Sequence, residues 1–297
     1  MNDRRREPPE DLAAWIRAQL GPACRTSWAG WDHAESEVWR VGAGDRLAYC
    51  KRHRSPGKHA AERAALERWA PQLPGTPTLI AILPADAPAL LMTAVPGAPV
   101  DGLDVDEDTL AAIHERAGAW LARLHALAWD DRDPLPLGVA MRRRADSWLA
   151  RARGIVDDDV HAWVAAAAEP LVELDAARVP CHRDFSPRNW LWDGQRLGVI
   201  DFEHARADWW LHDLDRLEAR CWHGRPRLRE AFLRGYGRRP SDAERAWARG
   251  LAIVQALSTI VWARAHADRE FEREGWTRLQ LLRGDEATVG PTVPAID

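Results

Sequence analysis

Apolar and polar residues alternate in two runs near the start of the chain. Ser36-Glu37-Val38-Trp39-Arg40-Val41 and Leu47-Ala48-Tyr49-Cys50-Lys51 flank Gly42-Ala43-Gly44-Asp45. This predicts a strand–turn–strand unit with Leu47, Tyr49 and Lys51 on one face. The period then changes. From His59 to Trp69, Glu62, Leu66 and Trp69 recur at i, i+4 and i+7 and predict a helix that Pro71 closes. Thr78-Leu79-Ile80-Ala81-Ile82 and Ala89-Leu90-Leu91-Met92-Thr93 read as two strands joined by a turn containing Pro and Asp. The second runs into a bend at Pro96-Gly97. Beyond the bend the pattern is helical. Leu110, Ile113, Ala117, Leu121, Leu124 and Leu127 form one stripe, and one or two further helices are predicted over 148–174. Ser241-Asp242-Ala243-Glu244 has the spacing of a capping box and opens a helix striped by Trp247, Leu251, Val254, Leu257 and Val261.

One stretch in the helical half returns to the strand pattern. After Val179-Pro180, the run Cys181-His182-Arg183-Asp184-Phe185-Ser186-Pro187-Arg188-Asn189 leads into Trp190-Leu191-Trp192. A turn at Asp193-Gly194 and the segment Leu197-Gly198-Val199-Ile200 complete a β-hairpin, and Asp201-Phe202-Glu203 follows. Asp184 and Asn189 precede one strand and Asp201 follows the other, so the antiparallel ends bring the three side chains together. An Asp can accept a hydroxyl proton, and Asn with a second Asp supplies the oxygen ligands that hard Mg²⁺ prefers. Those are the parts needed to move a phosphoryl group, where positioning and charge neutralisation do most of the catalysis.

Composition narrows the setting. The 297 residues are 46% hydrophobic and 29% charged, an ordinary soluble balance. The net charge of -4 argues against binding nucleic acid through its phosphates. No apolar run approaches the roughly 20 residues of a bilayer span, and no signal-peptide core is present, so no membrane association is expected. Cys24, Cys50, Cys181 and Cys221 lack C-x-x-C spacing and read as reduced thiols, which places the protein in the cytoplasm. Of 41 basic residues only two are Lys, so Lys51 at a strand end is more informative than any single Arg.

The run His182-x-Asp184-x-x-x-x-Asn189 followed by Asp201-Phe202-Glu203 resembles the catalytic and metal-binding loops of kinases, in the form found in aminoglycoside phosphotransferases and choline kinase-like relatives. The resemblance runs from about residue 30 to residue 275. It implies an α+β, bilobal protein-kinase-like fold. Residues 1–94 would form a nucleotide-binding lobe with a small antiparallel sheet and one main helix. Residues 95–297 would form a larger, mostly helical catalytic and substrate-binding lobe, with a hinge near 93–98. The roles implied are Asp184 as catalytic residue, Asn189 and Asp201 as Mg²⁺ ligands, and Lys51 as phosphate contact fixed by Glu62. Backbone groups at Thr93 and Val95 would hold the purine of ATP, or of GTP in its place, with Met92 behind it. In Asp208-Trp209-Trp210-Leu211-His212-Asp213-Leu214-Asp215 the counterpart of a family segment implies that Asp213 braces the catalytic loop. Residues 30–36 have two readings: a phosphate-covering loop in which Ser36 takes part, or an ordinary turn. Arg183 and Arg188 either approach phosphate or pair with carboxylates.

Only about a dozen residues separate Asp201 from Asp213, too few for a protein-kinase activation segment. The expected partner is therefore a hydroxylated small molecule: an antibiotic such as an aminoglycoside first, a choline-, sugar- or homoserine-like metabolite second. A polycationic acceptor would need carboxylates, and Asp101, Asp104, Asp106, Glu107 and Asp108, Asp157 to Asp159 and Asp268 to Glu274 are the candidates. The chain is expected to be a monomer or weak homodimer. Two readings from other classes stand beside this one: an HD-type metal phosphohydrolase using His182, the His212-Asp213 dyad and Asp215, and a kinase-like binding protein without catalysis.

Overall fold

The computed structural model describes residues 7–30, 36–83, 88–129 and 133–284. Most of the candidate phosphate-covering loop (31–35), the turn at 84–87 and the tail after Gly284 lie outside them.

The chain opens with α1 (Glu10–Leu20), then β1 (Arg25–Trp28), β2 (Ser36–Ala43) and β3 (Arg46–His53). Next come α2 (Pro56–Arg68), β4 (Leu79–Leu83) and β5 (Ala89–Thr93). The five strands form one antiparallel sheet in the order β1-β2-β3-β5-β4, with Lys51 opposite Val38 on one side and Leu90 on the other. Leu12 and Ile16 of α1 bury against Trp39, Val41, Cys50 and Leu91 of this sheet. Helix α2 starts three residues before the apolar periodicity predicts. Ser55 accepts the Lys58 N–H and Pro56 occupies the first turn, so the local start signal extends the helix beyond its buried stripe.

The remainder runs β6 (Ala98–Pro99), α3 (Glu107–His125), α4 (Leu137–Ala152), α5 (Asp158–Ala168), β7 (Val179–Cys181), β8 (Trp190–Trp192), β9 (Leu197–Val199) and β10 (Arg206–Asp208). It ends with α6 (Asp215–Arg220), α7 (Pro226–Tyr236), α8 (Asp242–Ala265) and α9 (Arg269–Gly284). The hairpin forms as predicted, with Trp190 opposite Val199 and Trp192 opposite Leu197; β6 pairs with its outer edge and β10 pairs with β7.

The chain packs as two compact units. One takes it to Trp129 and again from Val179 to Arg238; the other takes the segment up to Arg178 and that from Arg239 onward. The first holds the sheets together with α1, α2, α3, α6 and α7. Its helices α3 and α7 cross at two glycines. A Cβ on Gly118 would fall on the Phe232 carbonyl oxygen, and one on Gly235 on that of Glu115. We expect Gly235→Ala to force the helices apart at a cost of about 1–3 kcal/mol, lowering the melting temperature by several degrees; an unchanged thermal melt would refute the close approach.

The second unit consists of α4, α5, α8 and α9. Ser241 and Glu244 make both bonds of the capping box at the start of α8. By length and composition α8 is apolar enough to cross a membrane, which the sequence reading did not anticipate. Its Leu251, Val254, Leu257 and Val261 are buried as the core of this unit.

Candidate active site

The loop between β7 and β8 is held by a buried carboxylate. Asp213 lies in a short 3₁₀ turn, Trp210–Asp213, and accepts the His182 N–H at 2.9 Å and the Arg183 N–H at 2.5 Å. His125 Nε2 adds a third contact at 3.0 Å, and the Tyr236 hydroxyl meets His125 Nδ1 at 2.8 Å. Against its desolvation, the hydrogen bond and the charge of His125 hold Asp213 below the ordinary carboxylate value. The expected bracing role of Asp213 is thus present in the geometry, and His125 is a structural member of the same network.

His182 ties this loop to the next. The Ile200 carbonyl can only accept and the Asp184 N–H can only donate, so Nε2 (3.0 Å from Ile200 O) carries the hydrogen and Nδ1 (3.3 Å from Asp184 N) the lone pair. Arg183 and Asp201, one in each loop, adopt left-handed backbone angles (φ 68° and 71°), uncommon for residues with a Cβ. The residue after each aspartate anchors the loop. Phe185 and Phe202 are buried beside Trp120, Trp190 and His182, with Phe185–Trp190 centroids at 4.9 Å and His182–Phe202 at 4.8 Å.

Asp184 is 1% exposed and sits between two guanidinium groups, with Arg188 Nη2 at 2.5 Å and Arg216 Nη1 at 2.8 Å. Asn189 Nδ2 donates to the Asp184 carbonyl at 2.9 Å and its carboxylate at 3.0 Å, which turns the amide oxygen of Asn189 the other way. Against desolvation, the charges of Arg216 and Arg188 hold Asp184 below its ordinary value. Of the two readings for Arg188, the structure shows the carboxylate pair. Arg183 likewise pairs with the buried Asp208 at 3.2 Å.

On the other side of the loops, Lys51 Nζ lies 2.9 Å from Glu62, 2.6 Å from Asp201 and 2.9 Å from Glu203. Burial disfavours its charge, but the surrounding carboxylates, Asp201 foremost, raise its pKa well above the usual lysine value. Glu62 also meets His53 at 2.7 Å and the Phe202 N–H at 3.2 Å, whereas Glu67 of the same helix pairs with Arg63 on its surface. Ser36 is brought in by a route the sequence did not reveal: its hydroxyl donates to Glu203 at 2.8 Å. So does Lys58 Nζ, at 2.8 Å. Both lysines of the chain therefore end on one carboxylate. Lys58 and Glu203 were missed, although the scarcity of lysine was a signal for the first.

At the bend after β5, Met92 is buried and the Thr93 N–H donates to the Thr78 carbonyl at 2.9 Å. The Thr78 N–H bonds the Thr93 hydroxyl (2.9 Å) rather than its carbonyl. Val95 lies against Gly198, where an added Cβ would strike its side chain.

The hydrolase reading loses its ligand set. Asp213 faces His182, Arg183 and His125, while His212 Nδ1 lies 3.6 Å from Asp208, so the two residues form no dyad. Among the described residues two other clusters have ligand-like spacing, and neither has free ligands. In His125–Cys181–Asp213 the carboxylate is already bound, and burial pushes the Cys181 thiol well above its ordinary pKa. In His53–Glu62–Glu203 the cation in reach of both glutamates is Lys51.

An antiparallel sheet carrying a buried Lys–Glu pair, beside a loop pair bearing Asp, Asn and Asp, defines a kinase-like α+β fold. The model of the phosphotransferase enzyme family (APH) matches residues 29–251, and the chain belongs to that family. Among solved structures, a thermostable mutant of aminoglycoside phosphotransferase APH(4)-Ia, in ternary complex with ADP and hygromycin B, aligns with a TM-score of 0.73. The identity is 16%, over 94% of this chain and 100% of that one. The GDP and kanamycin complex of APH(2")-IIia aligns with a TM-score of 0.71 at 14% identity, over 94% and 100% of the two chains. No curated protein sequence matches.

Proposed function

We propose that this protein transfers the terminal phosphoryl group of ATP, or of GTP, to a hydroxyl of a small molecule. One observation carries the reading: Lys51 and Asp201, 150 residues apart, meet at 2.6 Å beside Glu62, with Asp184 and Asn189 on the adjoining loop. The acceptor oxygen bonds to the γ-phosphorus as the bond to the bridging oxygen breaks and the nucleoside diphosphate leaves. The hydroxyl proton passes to Asp184 and then to solvent. An ionised carboxylate bound by two arginines is a weak base, so Asp184 orients the hydroxyl and takes the proton late, as a loose transition state requires.

Asn189 and Asp201 offer hard oxygen donors at the nucleotide side, a set that fits Mg²⁺, which neutralises phosphate charge when bound. Lys51, steadied by Glu62, then exchanges Asp201 for phosphate oxygens. The Thr93 carbonyl and the Val95 backbone serve the purine, with Met92 behind it. Hydroxylated antibiotics are the first acceptors to try, since hygromycin B and kanamycin occupy the structural neighbours; sugar-, choline- and homoserine-like metabolites come second.

Asp201→Ala is expected to abolish Mg²⁺-dependent turnover and the thermal stabilisation by Mg-AMP-PNP. Wild-type turnover in that variant would refute the metal assignment. A screen of hydroxylated antibiotics and metabolites with Mg-ATP, read by product mass, identifies the acceptor. Tight nucleotide binding with transfer to none of them would favour the non-catalytic binding protein.

A further inference from the structure

Two guanidinium groups converge on the Asp184 carboxylate. Arg188 and Arg216 share it, and Arg220, one helical turn along α6, adds a third positive charge that acts on Arg216. Besides Asp184, Asp215 acts on Arg216. The two arginines at Asp184 also differ in their surroundings. The charge of Arg188 is supported by Asp201 and Glu203, which places it toward the phosphate side. Arg216 faces Arg188 and Arg220; burial, opposed by Asp184, together with those like charges, draws its guanidinium below the ordinary arginine value.

Exposure follows the same order. Asp184 is 1% exposed, while Arg188 and Arg216 are 44% and 32% exposed. An approaching acceptor therefore meets guanidinium groups before it meets the carboxylate. A polycation would have to displace both arginines against repulsion. A carboxylate or phosphate ester can instead take up guanidinium N–H groups in a bidentate pair, while a neighbouring hydroxyl of the same molecule reaches Asp184. Several acids that might have formed a polycation site are already committed. Asp106 caps α3 through the Thr109 N–H (2.6 Å), Asp108 pairs with Arg227, Asp159 meets Arg283 at 3.0 Å, and Asp268 accepts the Phe271 N–H at 3.0 Å.

We infer that the acceptor carries an anionic group, a carboxylate or a phosphate ester, and that Arg216 is the residue that binds it. The inference rests on the phosphotransferase reading above and puts anionic hydroxyl compounds ahead of polycationic antibiotics among its acceptors.

The test uses the full chain loaded with Mg-AMP-PNP, titrated calorimetrically with glycerol 2-phosphate, a hydroxy acid panel and kanamycin. Members of the anionic set are expected to bind more tightly than kanamycin, and Arg216→Gln is expected to weaken them by about tenfold or more. Arg216→Lys, which keeps the charge and loses the planar fork, should fall between. Arg229→Gln removes one positive charge from α7, where Arg229 pairs with Glu218, and should leave the anion affinities unchanged. Tighter binding of kanamycin, no binding by any anion, or anion affinities indifferent to Arg216→Gln would overturn the inference. A failure of Mg-AMP-PNP itself to bind would instead overturn the phosphotransferase reading.

Discussion

Asp184→Asn is expected to lower phosphoryl transfer by about 10²- to 10⁴-fold while Mg-AMP-PNP still binds. The amide keeps an oxygen for Asn189 and nearly the same volume, so the loop retains its shape. What it loses is the charge that orients a hydroxyl and receives its proton. The same change leaves Arg188 and Arg216 without their shared carboxylate. Both guanidinium groups reach solvent, so the stability cost should be about 1–3 kcal/mol rather than that of a fully buried pair. Single-turnover transfer and nucleotide affinity, measured on the same preparation, separate the two effects. Wild-type transfer in this variant would remove Asp184 from the chemistry.

Lys51→Met should have the largest effect on the fold of the nucleotide-free protein. It removes a cation that touches Glu62, Asp201 and Glu203 together, of which Glu62 is almost completely buried. The expected cost is about 3–5 kcal/mol, because a charge is left buried without its partner. The effect has a pH signature. Glu62, held below its ordinary value, contributes stability that is present above its unfolded pKa of about 4.3 and lost as pH falls through the lower folded value. Lys51, raised in the folded state, contributes stability that is whole below its unfolded pKa of about 10.4 and lost as pH rises through the folded value. The pair is therefore intact from about pH 5 to pH 10. In the variant the carboxylates repel one another and protonation relieves them, so the melting-temperature gap to wild type should narrow toward pH 4.5. A gap independent of pH would mean that Lys51 supports the fold by packing alone.

Much of this site could be read from the chain because its parts are local. The turn at Asp193-Gly194 sets the hairpin, and the hairpin fixes which ends converge, so Asp184, Asn189 and Asp201 follow from spacing. Lys51 and Glu62 could be placed on a strand and on the helix after it, and the resemblance to kinases is what paired them. Ser36 and Lys58 do not follow in this way, because each reaches Glu203 across 167 and 145 residues respectively, and no local period records such a contact. Arg216 was hidden for a different reason. In a chain with 39 arginines one more on a helix carries no signal. Asp106 and Asp268 stand three residues before the amides they cap, which is a helix-start pattern before it is a ligand pattern.

The crossing of α3 and α7 also reaches further than packing. Gly235 lies against the backbone of α3, and the next residue, Tyr236, holds His125, which holds Asp213, which holds the amides of His182 and Arg183. The distance between two helix axes is in this way transmitted, by a short relay of polar contacts, to the height of one peptide in the loop that carries Asp184. A methyl group added at the crossing would act as a wedge at the far end of a lever, detuning the reaction from a position that touches neither nucleotide nor acceptor.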